Sequence, residues 1–232
     1  MKGQKLWKKL KGYLLENQDY KPDINDVQIF KKEIKDDIII YQVEDVIVKQ
    51  SNKQLLPDKS QLNQVNENDI DNTGVFYWPS EIILTKYILG DLDRIKNYNI
   101  VELGAGRSGF CGLVLAKKGF NVILTDGNQS IINELKENVI LNELNLQVEA
   151  LKWQSGDPYA NTCALISDCF FFENYHNDLI QMIKRFCFAI GAAPSRGGSL
   201  ERFINKCQNQ NIECKQLNIL HDTQIILFNV IN

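Results

Sequence analysis

Residues 99–109 read NIVELGAGRSG, and residues 122–128 read VILTDGN. A short apolar run enters Gly104, Gly106 and Gly109, and Asp126 closes the next run twenty positions after Gly106. This is the written form of a nucleotide-type fingerprint, in which glycines let the backbone approach a ligand closely and a second acid meets ribose hydroxyls. The pattern is weakly specific by itself, so its meaning rests on what surrounds it.

On either side, strands and helices alternate. Pro79 and Ser80 open a helix to about Leu89, followed by strand IVEL, helix FCGLVLAKK, strand NVILTD and helix QSIINELKENVILN. Strands LQVEAL and CALISD, helix HNDLIQMIKRF, strand CFAIGAAP, helix SLERFINKCQNQ and strands IECKQLN and TQIILFNV complete the order. Such alternation builds a parallel sheet with helices on both faces. The last two strands are separated only by about ILHD, too short for a crossover helix, so they pair antiparallel. The expected class is α/β, a Rossmann-like seven-strand sheet ending in an antiparallel hairpin.

Residues 1–72 read as an N-terminal extension and residues 73–232 as the main domain. Leu6, Trp7, Leu10, Tyr13 and Leu14 recur at helical spacing among Lys2, Lys5, Lys8, Lys9 and Lys11, which predicts a basic amphipathic helix. β-rich text follows at VQIFKKEI and DIIIYQVEDVIVKQ, and then a polar connection.

A length of 232 residues suits one domain with an extension, and no apolar run approaches the ~20 residues of a membrane-spanning helix. A net charge of -3 disfavours a partner bound by broad phosphate neutralisation, so nucleic acid is not expected. Six cysteines without a C-x-x-C pair, beside two histidines, offer no zinc spacing; they read as reduced, mostly buried thiols, and no metal is expected. The lysines of the opening break up any signal-peptide core, which leaves a cytoplasmic or nuclear site as the expectation.

The fingerprint fits two ligand chemistries. A dinucleotide would bring its pyrophosphate to the helix that starts near Ser108, where Glu102, two residues before the first glycine, would repel it. S-adenosylmethionine carries a sulfonium and an α-amino group and no phosphate, so an acid at Glu102 becomes favourable. Gly104 and Gly106 then give backbone access and Asp126 accepts from the ribose, although it could also cap a helix. The terminal hairpin favours the methyl donor as well.

The stretches DNTG-x-x-x-WPSE (71–81), ELGAG, LTDGN (124–128), LKW (151–153), DCFFFENY (168–175) and APSRG (193–197) together resemble the seven-strand protein-lysine methyltransferases, and within them the branch acting on calmodulin. The resemblance covers about residues 71–205 well. It implies S-adenosylmethionine as cofactor and a protein substrate such as calmodulin; a monomer is expected. It places Trp78 and Trp153 at the cofactor, the latter against adenine, although tryptophans are often simply core. Asn128 either touches the adenosine or caps the next helix.

For lysine the amine must arrive neutral, so an aromatic-lined channel that disfavours the ammonium is useful. Asp168 would orient that amine by a hydrogen bond, with Phe170, Phe171, Phe172 and Tyr175 as walls, and strand alternation puts at least one of the phenylalanines in the core. The wider lysine group usually has tyrosine where Phe171 stands. Ser195 and Arg196 read as surface loop residues that could contact substrate or cofactor. The basic N-terminal helix either docks on its own domain or recruits an acidic partner. Two departures from the family stand out: a shortened turn at KRFCFAIG, and about four residues between the last two strands where the calmodulin branch carries an insertion. Other lysine substrates, such as a chaperone or an elongation factor, and an inactive cofactor-binding interaction protein remain alternatives.

Overall fold

The computed structural model describes residues 31–35, 38–43, 46–51, 79–154, 159–220 and 222–231. The expected N-terminal helix, the polar connection and Trp78 lie outside them. In chain order the elements are β1 (Lys31–Lys35), β2 (Ile38–Val43), β3 (Val46–Ser51), α1 (Pro79–Leu89), β4 (Asn99–Leu103), α2 (Phe110–Lys117) and β5 (Val122–Asp126). These are followed by α3 (Gln129–Leu141), β6 (Gln147–Ala150), β7 (Thr162–Ser167), α4 (His176–Ile183), β8 (Phe188–Pro194), α5 (Ser199–Gln208), β9 (Ile212–Leu220) and β10 (Thr223–Val230).

Seven strands form one sheet in the order β6-β5-β4-β7-β8-β10-β9, with β10 antiparallel to both its neighbours. The sheet interior is apolar on both faces, as a sheet covered by helices on both sides requires. In β4, Ile100 packs with α1, α2 and α3, whereas Val101 and Leu103 pack with α4 and α5. Period-two alternation repeats this division in β7, where Cys163 and Leu165 face the first layer and Ala164 and Ile166 the second. The crossovers change face between β4 and β7, so the crevice of the fold opens at the carboxyl ends of those strands.

The structure differs from the sequence reading in three places. The two β-rich stretches are three strands, β1-β2-β3, in which β2 pairs antiparallel with both β1 and β3. The last of these strands is also part of the main core: Val46 and Val48 are buried against the helical layer, and Asn142 at the end of α3 brackets Ile47. The Asn142 amide donates to the Ile47 carbonyl at 2.6 Å and accepts from the Ile47 N–H at 2.7 Å. Strand β9 runs on to Leu220, so only residues 221–222 separate it from β10. Helix α4 ends at Ile183, three residues short of the expected end, and the turn 184–187 leads into β8.

Candidate functional site

The loop after β4 is held from three sides. Its Ala105 N–H donates to the Thr125 carbonyl at 2.8 Å, and its Gly106 N–H donates to Asp126 Oδ2 at 2.9 Å. From α3, Asn138 donates to the Arg107 carbonyl at 3.0 Å and Glu134 pairs with Arg107. From α1, Glu81 accepts from the Ser108 hydroxyl at 2.5 Å and from the Phe110 N–H at 2.6 Å, at the amino end of α2. A carboxylate there satisfies a free helix-end donor and meets the positive end of the helix dipole.

Gly104 cannot be replaced in this arrangement. Its φ is +64°, and a Cβ would lie 2.7 Å from the Cys169 sulfur and 4.0 Å from the Trp153 ring. Gly104, Cys169 and Trp153 are therefore neighbours, and the Leu151 N–H, two residues before Trp153, donates to the Asp126 carbonyl at 2.9 Å. Trp153 itself is half-buried, with one side against the layer of α4 and α5. Asp126 accepts from Gly106 through one oxygen and from the Asn128 N–H at 2.9 Å through the other. A carboxylate oxygen can accept more than one hydrogen bond. Asn128 caps α3, its side chain accepting from the Ser130 N–H at 2.9 Å and the Ser130 hydroxyl at 2.7 Å.

Glu102 does not face the crevice. Strand alternation turns it to the layer of α1 and α2, where it is 1% exposed and accepts from the Gly112 N–H at 2.8 Å. Its Oε1 has no hydrogen-bond partner among the described residues. Burial, and then the neighbouring Glu81, push its carboxyl well above the ordinary range, while burial raises Glu81 to about 7. Two carboxyls buried together are tolerated when one of them keeps its proton. The sequence reading gave Glu81 no role; its only signal was a place in the WPSE string.

At the end of β7, Asp168 is in the left-handed region at φ +54°, and its N–H donates to the Ala192 carbonyl at 2.9 Å. Such strain in a non-glycine residue is retained where the surroundings fix it and is common at functional sites. The carboxylate is already engaged by other side chains. Arg196 donates through Nε to Oδ1 at 2.8 Å and through its second nitrogen to Oδ2, while the Ser80 hydroxyl reaches Oδ2 at 3.3 Å. Arg196, expected as a surface residue, is 8% exposed. A two-point guanidinium–carboxylate pair of this kind gives strong, directional bonding, and removing one partner of a buried pair costs about 3–5 kcal/mol.

Of the aromatic residues after Asp168, Phe170 is core, packed on Phe203 and Phe228 and seated over Gly191. Phe171 is buried and meets the half-buried Phe172 edge-on at 5.0 Å. Tyr175 is half-buried just before α4. Burial, with Asp126 and Asp168 nearby, keeps the Cys169 thiol protonated. Three cysteines are buried, two are half-buried and Cys187 is exposed; all six are free thiols.

Comparison with known proteins bears on the family and the fold. Over 162 residues the chain is 33% identical to a calmodulin-lysine N-methyltransferase of Arabidopsis thaliana, covering 62% of this chain and 53% of that protein. Over 152 residues it is 28% identical to the protein-lysine N-methyltransferase EFM2 of Saccharomyces cerevisiae, covering 52% of this chain and 36% of that one. The chain thus spans about half or less of the length of these relatives. Among solved structures, the tRNA (uracil-54, C5)-methyltransferase of Pyrococcus abyssi, in complex with S-adenosyl-L-homocysteine, shares the fold with a TM-score of 0.54 at 14% identity. That likeness covers 85% of this chain and 45% of the other. Residues 57–192, which carry α1, the glycine loop, Asp126, Trp153 and Asp168, match the lysine methyltransferase family, and the chain belongs to that family.

Proposed function

We propose that the protein is a protein-lysine N-methyltransferase that uses S-adenosylmethionine and acts on calmodulin. The observation that carries the reading is the convergence of Gly104, Asp126, Trp153 and Asp168 at the carboxyl ends of adjacent strands. The residues fit the cofactor. Gly104 leaves no room for a side chain beside Trp153, Asp126 is an acid held at the end of β5 by two backbone N–H groups, and Trp153 provides a half-buried aromatic surface. When bound, the cofactor would supply an electrophilic sulfonium methyl, with the thioether sulfur as leaving group, to the neutral lysine nitrogen.

The protein's own part is to bind, align and exclude water. Trp153 and Gly104 receive the adenosine, Asp126 fixes the ribose, and Asn128 acts through its cap on α3. Glu102 takes an indirect part by tying β4 to α2 at Gly112, which shapes the glycine loop. Phe171, Phe172 and Tyr175 follow Asp168 and provide the apolar side of the acceptor channel. Calmodulin as the target is supported by the Arabidopsis relative and by the combination of LTDGN, DCFFFENY and APSRG.

The test is the intact mass of bacterially made, unmodified calmodulin after incubation with the protein and S-adenosylmethionine, with and without calcium, beside an Asp168→Ala control. The expected result is gain in methyl-sized steps on one lysine, absent from the control. No gain, with calorimetry still showing cofactor binding, removes calmodulin and leaves the family's reaction to be sought with labelled cofactor in lysates.

A further inference from the structure

The pairing of Asp168 with Arg196 has a bearing on the acceptor side chain that neither residue has alone. Both are almost fully enclosed, with side chains 3% and 5% exposed. A buried carboxylate left uncompensated would attract a lysine ammonium and hold its proton in place, which is the wrong state for attack on a methyl group. A carboxylate already matched by a guanidinium exerts no such net pull, while still offering lone pairs to an N–H.

Resting on the lysine methyltransferase reading above, we infer that Arg196 is a positioning residue of the acceptor site: by cancelling the charge of Asp168 it lets the substrate lysine enter as a neutral amine. The loop that carries Arg196 is fastened for this purpose. The Ser195 hydroxyl donates to Glu201 at 2.7 Å, and Arg202 donates to the Gly197 carbonyl at 3.1 Å, so both flanks are tied to α5. Ser80 on α1 adds the third contact to Asp168, joining the acceptor site to the helix whose Glu81 holds the glycine loop.

Among the described residues, other charged and titratable groups lie around the pair. Asp126 at the end of β5 and Glu102 in β4 act with Asp168 on the intervening Cys169. Glu81 follows Ser80 on α1, and Glu201 and Arg202 lie on α5, where Arg202 is paired with Glu173. All of them are unchanged in the variants below, so differences between variants report on the Asp168–Arg196 charge balance.

The experiment measures kcat/KM for methylation of unmodified calmodulin from pH 6 to pH 10 for the wild type, Arg196→Lys, Arg196→Met and the double variant Asp168→Asn with Arg196→Met. Melting temperature and calorimetric titration with S-adenosylmethionine establish that each variant is folded and binds the cofactor. Arg196→Met is expected to move the rising limb of the profile toward alkaline pH by about one unit, roughly tenfold in rate below the limb. Arg196→Lys is expected to keep the limb in place at a reduced rate, and the double variant to bring it back toward the wild-type position. A uniform, pH-independent loss in Arg196→Met, or a gain in activity at every pH, would overturn the inference; the first makes Arg196 merely structural and the second makes it a plug. A wild type that methylates no calmodulin at any pH overturns the substrate reading and this inference together, whereas an active wild type with an unmoved limb overturns this inference alone.

Discussion

Asp126 shows how little latitude a single site residue has. One oxygen accepts from Gly106 and the other from Asn128, so replacing either oxygen with an amide NH2 sets two donors face to face. Asp126→Asn is therefore expected to weaken S-adenosylmethionine at least tenfold, about 1.4 kcal/mol, as read by calorimetry. It should also lower the melting temperature, because one backbone N–H loses its acceptor. An unchanged dissociation constant would remove Asp126 from the cofactor site. Much at this scale could be read in the text: Gly104, Asp126 and Trp153 converge where the strand ends were placed. What could not be read is direction and pairing. Glu102 has the right sequence position for the crevice, yet the parity of β4 turns it to α2. Arg196 meets Asp168 across 28 residues, a contact that no local pattern encodes.

The element that most rewards inspection is the junction of α1 with α2, where Glu81 and Glu102 share one buried space. Glu81 has its carboxyl raised by burial from 4.5 to about 7, and burial together with Glu81 raises that of Glu102 well above the ordinary range. The folded state then binds more protons than the unfolded chain. The stability that protonated Glu81 contributes is complete below about pH 4.5 and is lost as pH rises through about 7. Glu81→Gln imitates the protonated acid and should flatten that decline. In urea titrations, the difference between variant and wild type should grow in favour of the variant between pH 4.5 and pH 8. A difference that does not vary with pH would mean that Glu81 is ionised throughout. Helix and strand order were legible from apolar periodicity, but this junction was not, since Glu81 carried no signal of its own and Glu102 read as an acid of the ligand crevice.

For the whole molecule, the N-terminal meander is joined to the main core through β3. Asn142→Ala removes both bonds to Ile47, whose N–H and carbonyl then lack that partner. The expected cost is about 1–3 kcal/mol, seen as a lower melting temperature and faster amide exchange at Ile47. Unchanged exchange there would mean that Val46 and Val48 alone hold the strand. The sequence reading set this region apart because its link to α3 spans 95 residues and falls on a single asparagine amid helical text. The order of the main sheet has a consequence for synthesis. Strand β9 reaches the sheet only through β10, which follows it in the chain. On the ribosome, Ile212–Leu220 emerges with no strand to receive it, and β8 keeps a bare edge until Thr223–Val230 has left the exit tunnel. The sheet is completed by a hairpin arriving as one piece, and a chain that has emerged from the tunnel only as far as residue 222 presents an edge open to strand addition by another molecule.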